Sequence, residues 1–108
     1  MEPNFNNEYE ASAEINKVIR VCMALNQYTN FAHVAEHAGV NRKTLEGFLR
    51  PSSPIMKSKS ISNLREHLND TLHAHLSRHS ARHLMNGFEH ALETLITCKT
   101  NRNKGLKP

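Results

Sequence analysis

The chain has 108 residues, of which 38% are hydrophobic and 6% aromatic, and its net charge is +4 with the histidines neutral. This length supports one modest core, and no stretch approaches the ~20 apolar residues of a membrane span. The two remote cysteines, Cys22 and Cys98, offer neither a disulfide framework nor a thiolate metal site. The start, MEPNFNNEYE, is acidic and polar rather than signal-like, so a reduced, cytoplasmic protein is expected.

In chain order, Ile15, Val18, Ile19, Cys22 and Leu25 recur at three- and four-residue steps, which predicts an amphipathic helix over about 10–27. Asn30 can cap a short helix whose Phe31, Val34, Ala35 and Ala38 face inward, and Gly39 ends it. Asn41 caps the next helix, with Leu45, Phe48 and Leu49 on its core side. Pro51 stops that helix, because the residue before a proline is driven out of helical dihedrals. The segment PSSPIMKSKS reads as a loop. Ser60 is expected to cap a run carrying Ile61, Leu64, Leu68, Leu72 and Leu76. Ser77 or Ser80 can mark a break, although nothing over 77–86 forbids one bent rod. Leu84, Phe88, Ala91, Leu92, Leu95 and Ile96 follow as a last apolar stripe. No strand-like alternation and no internal repeat occur. The expected class is all-α, with about five helices.

The positive charge is unevenly distributed. Residues 29–59 hold Arg42, Lys43, Arg50, Lys57 and Lys59 against Glu36 and Glu46, and 99–108 hold Lys99, Arg102, Lys104 and Lys107 with no acid. Such clustering favours a polyanionic partner.

The stretch AEHAGVNRKTLEGFL puts a glycine inside otherwise helical spacing. A glycine takes the left-handed conformation after a helix without a Cβ clash, so Gly39 permits a sharp turn. Ala35 is small enough to let the second helix cross close by, Val40 plugs the corner, and Val34, Ala38, Leu45 and Phe48 join the pair. This is the stereochemistry of a helix-turn-helix at 30–50. FAHVAEHAGVNRKTLEGFL resembles the helix-turn-helix of prokaryotic repressors of the lambda-repressor-like and lactose-repressor-like superfamily, which share the pattern V-A-x-x-A-G-V-S/N-x-x-T-L/V. With about thirty residues before the motif and no sugar-binding domain after it, a small phage- or plasmid-type regulator is the better analogue.

That resemblance implies that the recognition helix, 42–50, enters the major groove of double-stranded DNA. Its outward positions are Asn41, Arg42, Lys43, Glu46, Gly47 and Arg50. Arg42 can grip guanine O6 and N7, and Lys43 can reach a base or a phosphate. Glu46 can accept from a cytosine amino group or orient Arg42 or Arg50 one turn away. Gly47 allows close backbone approach, or leaves a gap over a neighbouring helix. Arg50, Thr29 and Asn30 are candidates for phosphate contact, and Lys57 and Lys59 for further backbone contacts.

Other features carry less. His33 and His37, His75 and His79, and His79 and His83 sit four apart, but a metal site needs a third or fourth ligand, the cysteines are remote and no HExxH or CxxC accompanies the pairs, so no metal or other cofactor is expected. No catalytic set is visible and enzymatic activity is not expected. Leu84, Phe88, Leu92 and Leu95 can pack within the monomer or against a second copy, and dimerisation is the expectation because one head reads only a few base pairs. The expected organisation is therefore a DNA-binding domain over 1–76, a dimerisation helix over 77–98 and a disordered basic tail over 99–108. The expected function is a nucleoid-associated, sequence-specific transcriptional regulator, most simply a repressor. The alternative is an antitoxin or antirepressor that holds a partner protein through its C-terminal helices.

Overall fold

The computed structural model describes residues 4–51 and 53–105, with side chains through residue 101. Five α-helices and no strand occur among the described residues: α1 Glu8–Asn26, α2 Phe31–Ala38, α3 Arg42–Phe48, α4 Ser58–His75 and α5 Arg78–Gly105. The all-α expectation holds.

Each boundary has a local cause. Asn7 caps α1 by accepting from the Glu10 N–H at 2.9 Å, and Glu8 and Glu10 complement the dipole of its first turn. Gln27 ends α1 in the left-handed region at φ 59°, with the Tyr28 N–H bonded back to the Met23 carbonyl at 2.9 Å. The start of α4 differs from expectation. It begins at Ser58, not after a Ser60 cap, and Lys57 occupies the cap position with no side-chain hydrogen bond. Ser77 settles the open question of one rod or two. Its Oγ accepts from the Ser80 N–H at 3.2 Å, Leu76 is extended, and a separate helix α5 begins.

One continuous core joins all five helices. Ile15, Val18 and Ile19 of α1 meet Leu64, Leu68 and Leu72 of α4 and Phe88, Leu92 and Leu95 of α5, while Val34, Ala35, Leu45 and Phe48 seat the short helices on the same mass. Burying each such large apolar side chain contributes ~1.5–3 kcal/mol. The most extensive packing is between α1 and α5. They run antiparallel, since Glu8 meets Lys99 while Glu14 lies against Gly87, where an added Cβ would come within 2.6 Å of the Glu14 Oε2.

Two expectations are corrected by this packing. The stripe assigned to dimerisation is spent inside the monomer: Phe88 and Leu95 are 0% exposed and Leu92 2%, with Leu84 half-buried against the same core. The reason is that α1 offers an apolar face to cover it. Residues 77–98 are accordingly part of the same domain as 1–76. The expected tail is also misplaced, because α5 continues helically through Gly105 and Lys99 is sealed in the interior. Residues 106–108 of that tail lie outside the described residues.

Candidate nucleic-acid interface

The site is built on the corner between α2 and α3. Asn30 caps α2, its Oδ1 accepting from the His33 N–H at 3.2 Å. Gly39 closes α2 at φ 75°, ψ 34°. There the Val40 N–H reaches the Ala35 carbonyl at 2.9 Å and the Gly39 N–H the Glu36 carbonyl at 3.3 Å. This nested pair of bonds is the Schellman ending, which needs a left-handed residue at its turn. Conformation, not space, selects glycine: a Cβ at Gly39 would touch only the Asn63 amide nitrogen, at 3.8 Å.

Asn41 then starts α3, with its Oδ1 accepting from the Thr44 N–H at 3.0 Å. Ala35, Ala38, Val40, Leu45, Phe48 and Leu49 are all buried at the corner. The inward face of the motif is thereby used up, and Asn41, Arg42, Lys43 and Thr44 are left exposed on the first turn.

Arg42 and Lys43 stand where the positive end of the helix dipole opposes them. Arg42 Nε lies 3.6 Å from Glu46 Oε1, a solvent-exposed pair one turn apart. Glu46 thus lies beside Arg42, one of the two cations within its reach one turn away. Such a pair contributes ~0.3–0.5 kcal/mol at most. Lys43 makes no ion pair among the described residues. Gly47 faces open space, with nothing outside its own helix backbone within 4 Å of an added Cβ. Its use as a gap over a neighbouring helix is thus ruled out.

The remaining candidates are exposed but differ in setting. Lys57 and Lys59 stand at the start of α4, where they too are opposed by a helix dipole. Thr29 is engaged locally, its N–H and Oγ1 both 3.4 Å from His33 Nδ1, and the Asn30 oxygen is taken by its cap. Arg50 presents its side chain to solvent while its carbonyl is held from behind.

What holds it is the residue that sequence reasoning assigned to a basic tail. Lys99 Nζ donates to the Ser53 carbonyl at 2.6 Å, to the Arg50 carbonyl at 3.1 Å and to Glu8 Oε2 at 3.1 Å. It also lies 5.7 Å from the centre of the Phe48 ring. One ammonium thus ties the end of α3 and the loop after it to α1 and α5. The signal existed in the periodicity: positions 88, 92, 95 and 99 continue one helical face.

A second feature escaped the sequence. Tyr28 stacks on His37 at 4.9 Å between centroids and on His67 at 6.0 Å, with His33 edge-on at 6.1 Å. The stack joins the start of the motif to α2 and α4. Burial, together with the neighbouring His37, holds the His67 pKa below its usual 6.5, with Asp70 opposing in part.

Comparison of the chain with family models, curated proteins and solved structures returns no match. No helix among the described residues is long and apolar enough to cross a membrane.

Proposed function

We propose that the protein binds double-stranded DNA sequence-specifically through α3 and regulates transcription, most simply as a repressor of the helix-turn-helix type its motif resembles. One observation carries the reading. A left-handed turn at Gly39 and a cap at Asn41 spend every apolar side chain of the corner on the core and leave two cations exposed in the first turn. The fold gains no more than the weak Arg42–Glu46 pair from cations at that position, whereas a major groove lined by guanine acceptors and phosphates suits both.

The open space over Gly47 fits close approach of the α3 backbone to a duplex. The side chains of Arg50, Lys57 and Lys59 would hold phosphates and set register without reading sequence. Two-fold pairing would double the short footprint of one head. Such pairing uses a surface other than Phe88, Leu92 and Leu95, which the core has consumed. The antitoxin or antirepressor reading loses that same apolar face and has no observation in its favour.

Selection of bound duplexes from a random pool tests the proposal. The expected result is an enriched motif of a few base pairs, repeated as a palindrome if the protein pairs. Recovery of unenriched sequence, or no retention at low salt, would overturn it.

A further inference from the structure

At the other end of α5 from Lys99, a cleft of about 780 Å³ opens between the second half of α4 and the first half of α5. Asn69 and His73 line it from α4, and Arg78, Arg82, His83 and Asn86 from α5. We infer that this cleft binds a small phosphoryl anion, with Arg78 and Arg82 as its principal ligands.

The charge inventory points that way. The one carboxylate in the lining is Glu89, and it is already held by Arg65, whose Nε lies 2.9 Å from Glu89 Oε1. Arg78 and Arg82 are exposed and make no ion pair or hydrogen bond among the described residues. They are also like charges one turn apart, an arrangement that weakens a helix. Two guanidiniums thus stand on one wall of a concavity at a small cost in helix stability, with no carboxylate of the lining free to pair with them.

The chemistry of that partner follows from the donors. Each guanidinium presents a planar fork that matches two oxygens of a phosphoryl group. The Asn69 and Asn86 amides add neutral donors across the cleft. The lining contains no Phe, Tyr or Trp, and its rings are the smaller imidazoles of His73, His79 and His83, so phosphoryl oxygens rather than a large stacked ring are the better match to its donors. The volume falls within the ~300–1,000 Å³ usual for small-molecule sites. Recognition thus centres on the phosphoryl group, and the concavity between two helices admits a small ligand more readily than a convex duplex.

None of the residues lining the cleft belongs to α3. Lys99 pins its level of α5 to the end of α3. Arg82 lies 17 residues earlier on the same helix (99 − 82), or about 25 Å along the axis.

Calorimetric titration of the full chain with sodium pyrophosphate at low ionic strength tests the inference. Saturable one-to-one binding is expected, weakened at least tenfold in Arg78→Gln/Arg82→Gln and within twofold of wild type in Arg42→Gln/Lys43→Gln. Circular dichroism verifies that both variants fold. Absence of saturable binding, or equal loss in the two variants, would overturn it. So would a result in which Arg78→Gln/Arg82→Gln loses affinity for a duplex but not for pyrophosphate, which would assign the cleft to nucleic-acid backbone. The pyrophosphate outcomes do not depend on whether α3 reads DNA.

Discussion

Cations occur in this molecule in two opposite settings. Arg42 and Lys43 stand in solvent at the start of α3, and the side chain of Arg42 is 55% exposed. Lys99 is 0% exposed, and its ammonium donates to a carboxylate and two carbonyls. An ammonium has three protons, and here each has an acceptor. On the proposed function, the contrast separates charge that serves a partner from charge that serves the fold. The first kind is placed where the local backbone disfavours it. The second is placed where withdrawing it would remove a donor from a buried carboxylate and two loop carbonyls.

Removing each charge should break the molecule in different ways. Lys99→Met keeps the length and apolar stem but takes one donor away from Glu8 and from the Arg50 and Ser53 carbonyls. A loss of about 3–5 kcal/mol is expected in urea denaturation, the range for breaking a buried pair from one side. The loss should be visible without any ligand. A change below ~1 kcal/mol would mean that water replaces the ammonium and that the tie between α3 and α5 is dispensable.

Arg42→Ala should do the converse. Its exposed pair with Glu46 contributes little, so stability should move by no more than ~0.5 kcal/mol. Affinity for the selected duplex should fall by ~1–3 kcal/mol, with preference relaxed at one base position. An equal loss on every sequence would instead make Arg42 a phosphate ligand.

The same contrast explains what could be read from the chain. The corner at 35–49 was legible because its determinants are local: a left-handed position at Gly39, a cap at Asn41 and a small residue at Ala35 act within a dozen residues. Lys99 was not, because its carboxylate partner is 91 residues away and only tertiary packing brings the two together. The stripe through Phe88, Leu92 and Leu95 was correctly seen as apolar. Periodicity shows that such a face is covered but not by what, and α1 rather than a second copy covers it. The Tyr28 stack was hidden for the same reason, since His67 reaches it from a separate helix.

Gly47 sharpens the comparison by giving one substitution two readouts. Glycine within a helix costs ~1 kcal/mol relative to alanine, and a Cβ here meets open space. Gly47→Ala should therefore raise the stability of the free protein by ~0.5–1 kcal/mol. If α3 approaches a duplex through this position, the same methyl should weaken DNA binding. Greater stability with unchanged affinity would place the duplex on another side of α3.

The smallest effect concerns a group that belongs to neither setting. His67 is half-buried beside Tyr28 and His37, and its folded pKa lies below the 6.5 of an unperturbed imidazole. As pH falls past 6.5, the unfolded chain takes up a proton that the folded His67 resists. The unfolded state then binds more protons, so stability rises with pH across this window. The contribution is complete above the unfolded pKa and is lost as pH drops through the folded one. Carboxylates titrate on the acid side of the same range, so the informative quantity is the difference between wild type and His67→Gln. In denaturant midpoints measured from pH 8 down to 5, the wild type should lose more stability than the variant. Because the stack joins α2 to α4, the loss should also loosen the support of the α2–α3 corner, seen as faster amide exchange in α2. Parallel pH profiles for the two proteins would show that the imidazole protonates freely within the stack and that burial there costs it nothing.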